Sequence, residues 1–298
     1  MAVANHFKLW MKNSMRSLTV AACALFALPL LYALLTIDLR TVAVRWLYAD
    51  ALHTYLAPGQ LGNRVFQNLA VSLLAEKFDL VAHYDRADDF RALGLRLHSG
   101  RLRLDGGDRA PLDNQLLQHL LATRATRTTR GLIIEHPHSY FQTPWFARML
   151  RVYVASMREG VLAANPWRSR FGANNDTCVH LRLGTLADPL QPLPERFYER
   201  IDAAIGAPPG AVFVATDDPD AAGAAALVRR LGATLLHPRE FNVVQTVQFI
   251  ASCRHLVLSG GTMGWLAGAL ALNSSSVRYV LRPNWGDIYV FPDWEHVT

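Results

Sequence analysis

The sequence predicts an α/β chain: a parallel sheet in the C-terminal half, a further α/β portion ahead of it, and one transmembrane helix at the N-terminus. Three observations predict this. From residue 173 onward, strand patterns alternate with helical ones. Around residues 53–78 a short strand, a glycine-containing loop and a helix follow one another. Residues 18–37 carry no charge.

In chain order, residues 1–17 form a tail with Lys8, Lys12 and Arg16 and no acidic residue. The 20 uncharged residues 18–37 that follow are enough to cross a hydrocarbon core of about 30 Å. A cleaved signal peptide would have a shorter apolar region and a small-residue cleavage site, and "LLTIDLRTVAVRW" offers a poor one. The basic flank keeps the tail cytoplasmic and sends the remainder across the membrane. Residues 38–52, of mixed charge and aromatic content, serve as a stem. Residues 53–172 and 173–298 are the two expected subdomains.

The whole chain of 298 residues is 51% hydrophobic with a net charge of +6, which excludes disordered and fibrous classes. The positive balance suits a phosphate-bearing ligand, a membrane surface or a nucleic acid, and alone it selects none of them. Of the three cysteines, Cys23 lies in the apolar span; Cys178 and Cys253 sit in apolar surroundings and are expected as two buried thiols. Asn175 and Asn273 open N-glycosylation triplets, in agreement with a lumenal domain.

In the first subdomain, Val65, Phe66, Leu69, Leu73 and Leu74 recur at helical spacing. Residues 85–130, rich in Arg and Asp, are expected as helices and loops. In the second, strands are expected near 177–183, 211–216, 233–236, 255–259 and 277–281, with helices near 194–205, 220–231, 243–252 and 262–271. Such alternation implies right-handed crossovers and a parallel sheet, in which ligands bind at the carboxyl ends of the strands.

Three of those ends carry chemistry. In "CVHLRLGT", period-two alternation sets Cys178, His180 and Arg182 on one face. Arg182 there can grip a diphosphate bidentately, or form an ordinary surface salt bridge. "VFVATDDP" ends in Asp217 and Asp218, which can meet a guanine edge or ribose hydroxyls, or cap the next helix with Pro219 in its first turn. "LVLSGGTMG" places Ser259, Gly260, Gly261 and Thr262 between strand and helix, where free N–H groups attract phosphate unless the turn serves packing alone. The glycine spacings fit neither a dinucleotide fingerprint nor a P-loop.

Together these segments resemble the superfamily of the α1,2-fucosyltransferases (glycosyltransferase family 11), the core α1,6-fucosyltransferases and the protein O-fucosyltransferases, over roughly residues 54–295. "GQLGNRVFQNLA" is similar to the α1,2 family's G-G-x-G-N-Q-x-F-Q segment, "SYFQTPWF" to G-Y-x-Q-S-x-x-Y-F, and "HLRLGT" to H-x-R-R-G-D. "VFVATDDPD" resembles F-S-D-D and A-T-D-D-P, and "SGGTMGWLAGAL" resembles S-T-F-S-W-W-A-A.

The resemblance implies a GT-B-like fold of two Rossmann-like subdomains and metal-independent, inverting transfer of fucose from GDP-fucose to a glycan hydroxyl. By the same resemblance the protein is a single-pass type II Golgi protein with its catalytic domain in the lumen. The expected partners are the nucleotide sugar, a glycan acceptor and the membrane, with no nucleic acid, cofactor or metal. Carried over, Arg182 holds the β-phosphate, His180 with Asp217 or Asp218 contacts guanine or ribose, and the turn of Ser259, Gly260, Gly261 and Thr262 contacts phosphate. Gly59, Gly62 and Asn63 shape the cleft from the N-terminal side.

The chain departs from the family at Leu183, Thr185 and Arg64, which replace an arginine, an aspartate and a glutamine. Arg64 offers a compensating charge. The base for the acceptor hydroxyl is Asp188 or Glu195, with Asp188 better placed and Glu195 suited to capping the next helix. Two rival readings stand beside this one. One is a metal-dependent transferase using Asp218 and Asp220 as D-x-D for Mn²⁺; the other is a membrane-tethered binding protein of the same fold without catalysis. Trp145, Phe146, Trp265, Trp285 and Trp294 are aromatic candidates for sugar stacking or for the core.

Overall fold

Six parallel strands build the main sheet in a computed structural model of the protein. The model describes residues 50–55, 59–104, 109–124, 131–133, 140–183, 195–280, 291 and 293–297. The tail, the expected membrane span at residues 18–37 and the stem up to residue 49 lie outside the described residues. Among the described residues no helix is long and apolar enough to cross a membrane. Asp50–Thr298 is one compact unit.

Its first part holds β1 (Leu52–His53), α1 (Leu61–Phe78), β2 (Ala82–His83), α2 (Ala87–Ala92), β3 (Arg109–Pro111), α3 (Asn114–Ala122) and β4 (Gly131–Ile133). β1 pairs with β2 and β3 with β4, both in parallel. Strand β3 was not expected among the helices and loops of residues 85–130, because three residues cannot display a period. Helices α4 (Pro144–Ser156) and α5 (Arg158–Ala164) then lead to the sheet. Thr143 starts α4 by accepting the Phe146 N–H at 3.2 Å, with Pro144 in the first turn.

The remaining elements alternate: β5 (Thr177–Leu181), α6 (Glu195–Ile205), β6 (Val212–Thr216), α7 (Ala222–Leu231), β7 (Thr234–Leu235), α8 (Val243–Ala251), β8 (His255–Ser259), α9 (Gly261–Leu270), β9 (Ser276–Val280) and β10 (Glu295–Val297). The expected strands and helices of this half are all present. Counted from β5, the spatial order is 3-2-1-4-5-6, the doubly wound arrangement of dinucleotide-binding sheets. Connections leave β5 and β8 in opposite directions, so the crevice at their carboxyl ends is the topological switch point.

The strand pleat divides the apolar residues between two cores. Val179, Leu181, Val214 and Val257 face Phe197 and Ile201 of α6 and Leu227 of α7. Cys178, Ala215, Leu256 and Leu258 face the other way, toward α8 and α9. That second core continues without interruption into Phe66 and Leu69 of α1 and Phe146 and Leu150 of α4. Helix α9 is therefore covered on both sides, which is why its residues from Gly264 to Leu270 are all buried.

One expectation is corrected here. Cys178 and Cys253 are joined in a disulfide with Cα atoms 5.8 Å apart, not two separate thiols; their apolar surroundings reflect burial of the bridge in the core. Gly62 and Asn63 belong to the first turn of α1, which starts at Leu61.

Candidate functional site

The carboxyl ends of β5 and β8 are tied together by one hydroxyl. Ser259 Oγ donates to the His180 carbonyl at 2.9 Å and accepts the Arg182 N–H at 2.9 Å. Ser259 is wholly buried, so its side chain locks the switch point and is withheld from the cleft. The hydroxyl is thus used within the sheet.

Beyond this lock, Arg182 reaches sideways to β6. Its Nη1 donates to Asp217 Oδ2 at 2.5 Å, while Asp217 Oδ1 accepts the Leu183 N–H at 2.8 Å. The side chains are 11% and 23% exposed, so the pair sits at the lip of the sheet and is partly shielded from solvent. Neither Asp217 nor Asp218 caps the following helix: α7 starts at Ala222 behind Ala221, which has no side-chain cap, and Pro219 lies ahead of the first turn. Asp218 instead donates its N–H to Thr216 Oγ1 at 3.2 Å, bending the chain just after β6.

Next to Arg182, the turn from β8 into α9 runs through Gly260 (φ 63°) and Gly261 (φ 77°), a left-handed backbone that side chains disfavour. Among the described residues no side chain caps α9. Its first N–H groups therefore meet the crevice with the positive end of the helix dipole.

A second helix start meets the first. Gly62 in the opening turn of α1 lies so close to α9 that an added Cβ would fall 2.3 Å from Thr262 Oγ1 and 2.6 Å from its carbonyl carbon. α1 also has no side-chain cap among the described residues. Two uncapped, positively polarised helix starts thus adjoin, an arrangement that an anion stabilises.

Asn63 joins the walls. Its Oδ1 accepts from Thr262 Oγ1 at 3.0 Å and from Gln142 Nε2 at 2.7 Å, leaving the amide N–H₂ as the group available for other contacts. Gln142 is a site residue that the residue-by-residue reading did not single out, although it lies within "SYFQTPWF". Only the fold brings it to Asn63. The preceding Phe141 is fully buried at φ 53°, a conformation costing on the order of 1–3 kcal/mol for a bulky residue and found mostly where the surroundings impose it.

Arg64 faces the site less openly than expected. It forms an ion pair with Asp85 and donates through Nε to the Gly59 carbonyl at 2.8 Å. Its charge is thus matched within the protein, and its bond to Gly59 fixes the loop ahead of α1.

His180 differs from the expectation most. It is buried beneath the cleft, with Gly264 against its ring: a Cβ there would lie 2.9 Å from Nδ1. Among the described residues that nitrogen has no hydrogen-bond partner. Desolvation is the main cause that lowers its pKa to about 4; nearby Asp217 opposes this and Arg182 adds to it. The ring is a neutral core group and does not reach a guanine or ribose. Alternation does place it on the face of Cys178, as expected, but that face is covered by α9.

The structure therefore brings together Gly59, Gly62, Asn63, Arg64, Arg182, Asp217, Asp218, Gly260, Gly261 and Thr262 around the β5–β8 crevice, with His180 and Ser259 beneath it. Asp188, Thr185 and Trp285 lie outside the described residues. Glu195 is the first residue of α6. Asn175 is exposed, whereas Asn273 is half-buried and accepts a hydrogen bond from Arg158. Trp265, Phe146 and Trp294 are core residues, and Trp145 stacks against Phe146 with ring centroids 6.1 Å apart. Among the described residues no cluster of three or more His, Cys, Asp or Glu side chains could hold a metal ion.

Backbone amides at two helix starts, with one guanidinium beside them, are groups whose chemistry suits a phosphate. No protein-family model matches the chain, and no curated protein matches it.

Proposed function

We propose that the protein is a membrane-anchored, GT-B-like inverting glycosyltransferase that transfers fucose from GDP-fucose to a glycan hydroxyl. One observation carries the reading: two uncapped helix starts, at Leu61 and Gly261, adjoin at the switch point of a doubly wound sheet beside Arg182. A nucleoside diphosphate sugar is a ligand class whose charge suits helix starts at such a switch point. The motif resemblance narrows that class to GDP-fucose. In the transfer, the acceptor oxygen attacks the anomeric carbon from the face opposite the diphosphate. The C–O bond to the β-phosphate breaks, and Arg182 with the α9 amides stabilises the negative charge left on it. The acceptor proton passes to a carboxylate, assigned to Asp188. Asp218 contacts the nucleoside, and the Asn63 amide faces the donor from the opposite wall. The protein works from the Golgi lumen, held by residues 18–37.

The test is a nucleotide-sugar screen of the full chain in detergent, with and without EDTA. GDP-fucose is the expected donor, transfer persists in EDTA, and Arg182→Ala lowers turnover by about 10²-fold. Transfer from another nucleotide sugar that EDTA abolishes would transfer the assignment to a metal site at Asp218 and Asp220. A second reading has its own support: Arg182 is internally matched by Asp217, and Leu183 stands where the family has another arginine. A protein that binds GDP and GDP-fucose but neither transfers nor hydrolyses would be a nucleotide-sugar-binding member of the fold.

A further inference from the structure

We infer that Asp217 is a positioning residue for Arg182 and does not contact the nucleoside. The inference rests on the nucleotide-sugar reading above and divides the two adjacent carboxylates between two tasks. β5 and β6 are paired up to Leu181 and Thr216, and there the ladder ends. Asp217 continues the connection with its side chain. One oxygen takes the Arg182 guanidinium at 2.5 Å and the other takes the Leu183 N–H at 2.8 Å. On the far side of β5, Ser259 holds the Arg182 N–H. Residues 182 and 183 are thus pinned from both neighbouring strands, by a hydroxyl on β8 and a carboxylate on β6.

A carboxylate bound in this way has both oxygens committed within the protein. Each oxygen keeps a further lone pair, but both are turned toward residues 182 and 183. Its geometry suits a different task. An arginine side chain loses considerable rotamer freedom when ordered, and a charge-assisted bond to a fixed carboxylate sets its direction before a diphosphate arrives. Asp218, turned by the bond from its N–H to Thr216, has no side-chain hydrogen bond among the described residues and is left for the nucleoside.

The experiment uses the full chain in detergent, with GDP and guanosine as separate titrants and hydrogen exchange at the Leu183 amide as an independent readout. Asp217→Ala should weaken GDP about tenfold or more while changing guanosine by less than about twofold, as expected for loss of a charge-assisted contact at the phosphates alone. The double variant Arg182→Ala/Asp217→Ala should bind GDP no more weakly than Arg182→Ala, because the second change removes only the support of a group already lost. Leu183 exchange should accelerate in Asp217→Ala and stay near wild type in Asp217→Asn, whose side-chain carbonyl still accepts. Asp218→Ala should weaken GDP and guanosine alike.

Equal weakening of both titrants in Asp217→Ala, or additive losses in the double variant, would overturn the inference. If Asp217→Ala does not fold, Asp217→Asn carries the GDP and guanosine comparison. A wild-type protein that binds neither titrant removes the nucleotide reading and this role with it, whereas unchanged Leu183 exchange in Asp217→Ala overturns the tether alone.

Discussion

The two faces of the main sheet are packed to different ends. On one face, α6 and α7 each bury a single stripe, with Phe197, Ile201 and Leu227 turned inward and charged residues such as Arg229 and Arg230 near the helix end. On the other, α8 and α9 are overlaid by α1 and α4, so apolar residues surround α9 and its N-terminus opens at the switch point. The first face stabilises the sheet. The second stabilises it and sets the position of every site element contributed by α1 and α9. The contrast teaches that loss of packing should uncouple from loss of binding on the first face and accompany it on the second.

The largest expected effect tests this directly. Trp265 is wholly buried in α9, with ring centroids 4.6 Å from Phe66 and 5.8 Å from Phe291, and Phe197 is its counterpart on the other face. Trp265→Ala and Phe197→Ala should each cost about 3–5 kcal/mol in urea unfolding. Only Trp265→Ala should also weaken GDP at temperatures where both variants remain folded. Equal weakening in both would break the comparison.

The disulfide is next. Cys178 lies near the start of β5 and Cys253 between α8 and β8, 75 residues apart, so the bridge fastens the second face at the amino ends of these strands. Its loss in Cys178→Ala/Cys253→Ala should cost about 2–4 kcal/mol. Comparing thermal unfolding of this variant and wild type with and without reductant checks it: reductant should lower the wild-type transition and leave the variant unchanged.

His180 gives the second face a pH dependence. Its folded pKa of about 4 lies below the ordinary histidine value of 6.5, so between those values the unfolded chain binds the proton more readily. This contribution is intact above pH 6.5 and falls by up to about 1.4 kcal/mol per pH unit as pH drops toward 4. Unfolding free energies of wild type and His180→Leu measured from pH 7 to 4 should diverge in slope over that window.

The smallest effect concerns the contact between helix starts. Gly62→Ala gains helix propensity but forces its methyl against Thr262, and the net cost should be about 1–3 kcal/mol. Because α1 and α9 must separate to admit it, GDP binding should fall more than stability alone predicts. Titration of this variant at a temperature where it is fully folded measures that difference.

Much of the C-terminal half was legible in the sequence. β5, β6 and β8 are largely apolar runs of five residues between helical patterns long enough to show a stripe, and the end of each announces itself by a change from apolar to polar or glycine residues. The first half was less legible because β1 to β4 are two or three residues long, too short for any period. α1 was readable as a helix, but its burial on almost every side was not.

The candidate site was legible as a set of strand ends and not as a set of contacts. The residue types named Arg182, Asp217 and Gly260; nothing in their spacing said that Asp217 would take Arg182, or that Gln142 would reach Asn63. Likewise a spacing of 75 residues cannot tell paired cysteines from separate thiols.

What the sequence determined by itself is local: which segments are strands, which are helices, and which residues stand at the carboxyl end of each, because period and turn chemistry act within a few residues. The tertiary structure alone decided that β8 lies beside β5, that His180 is sealed under α9 while Arg182 stays at the lip, and that two helix starts meet at Gly62 and Thr262. Those outcomes depend on the order in which strands assemble and on which face is covered, and both are settled by burial across long separations in the chain.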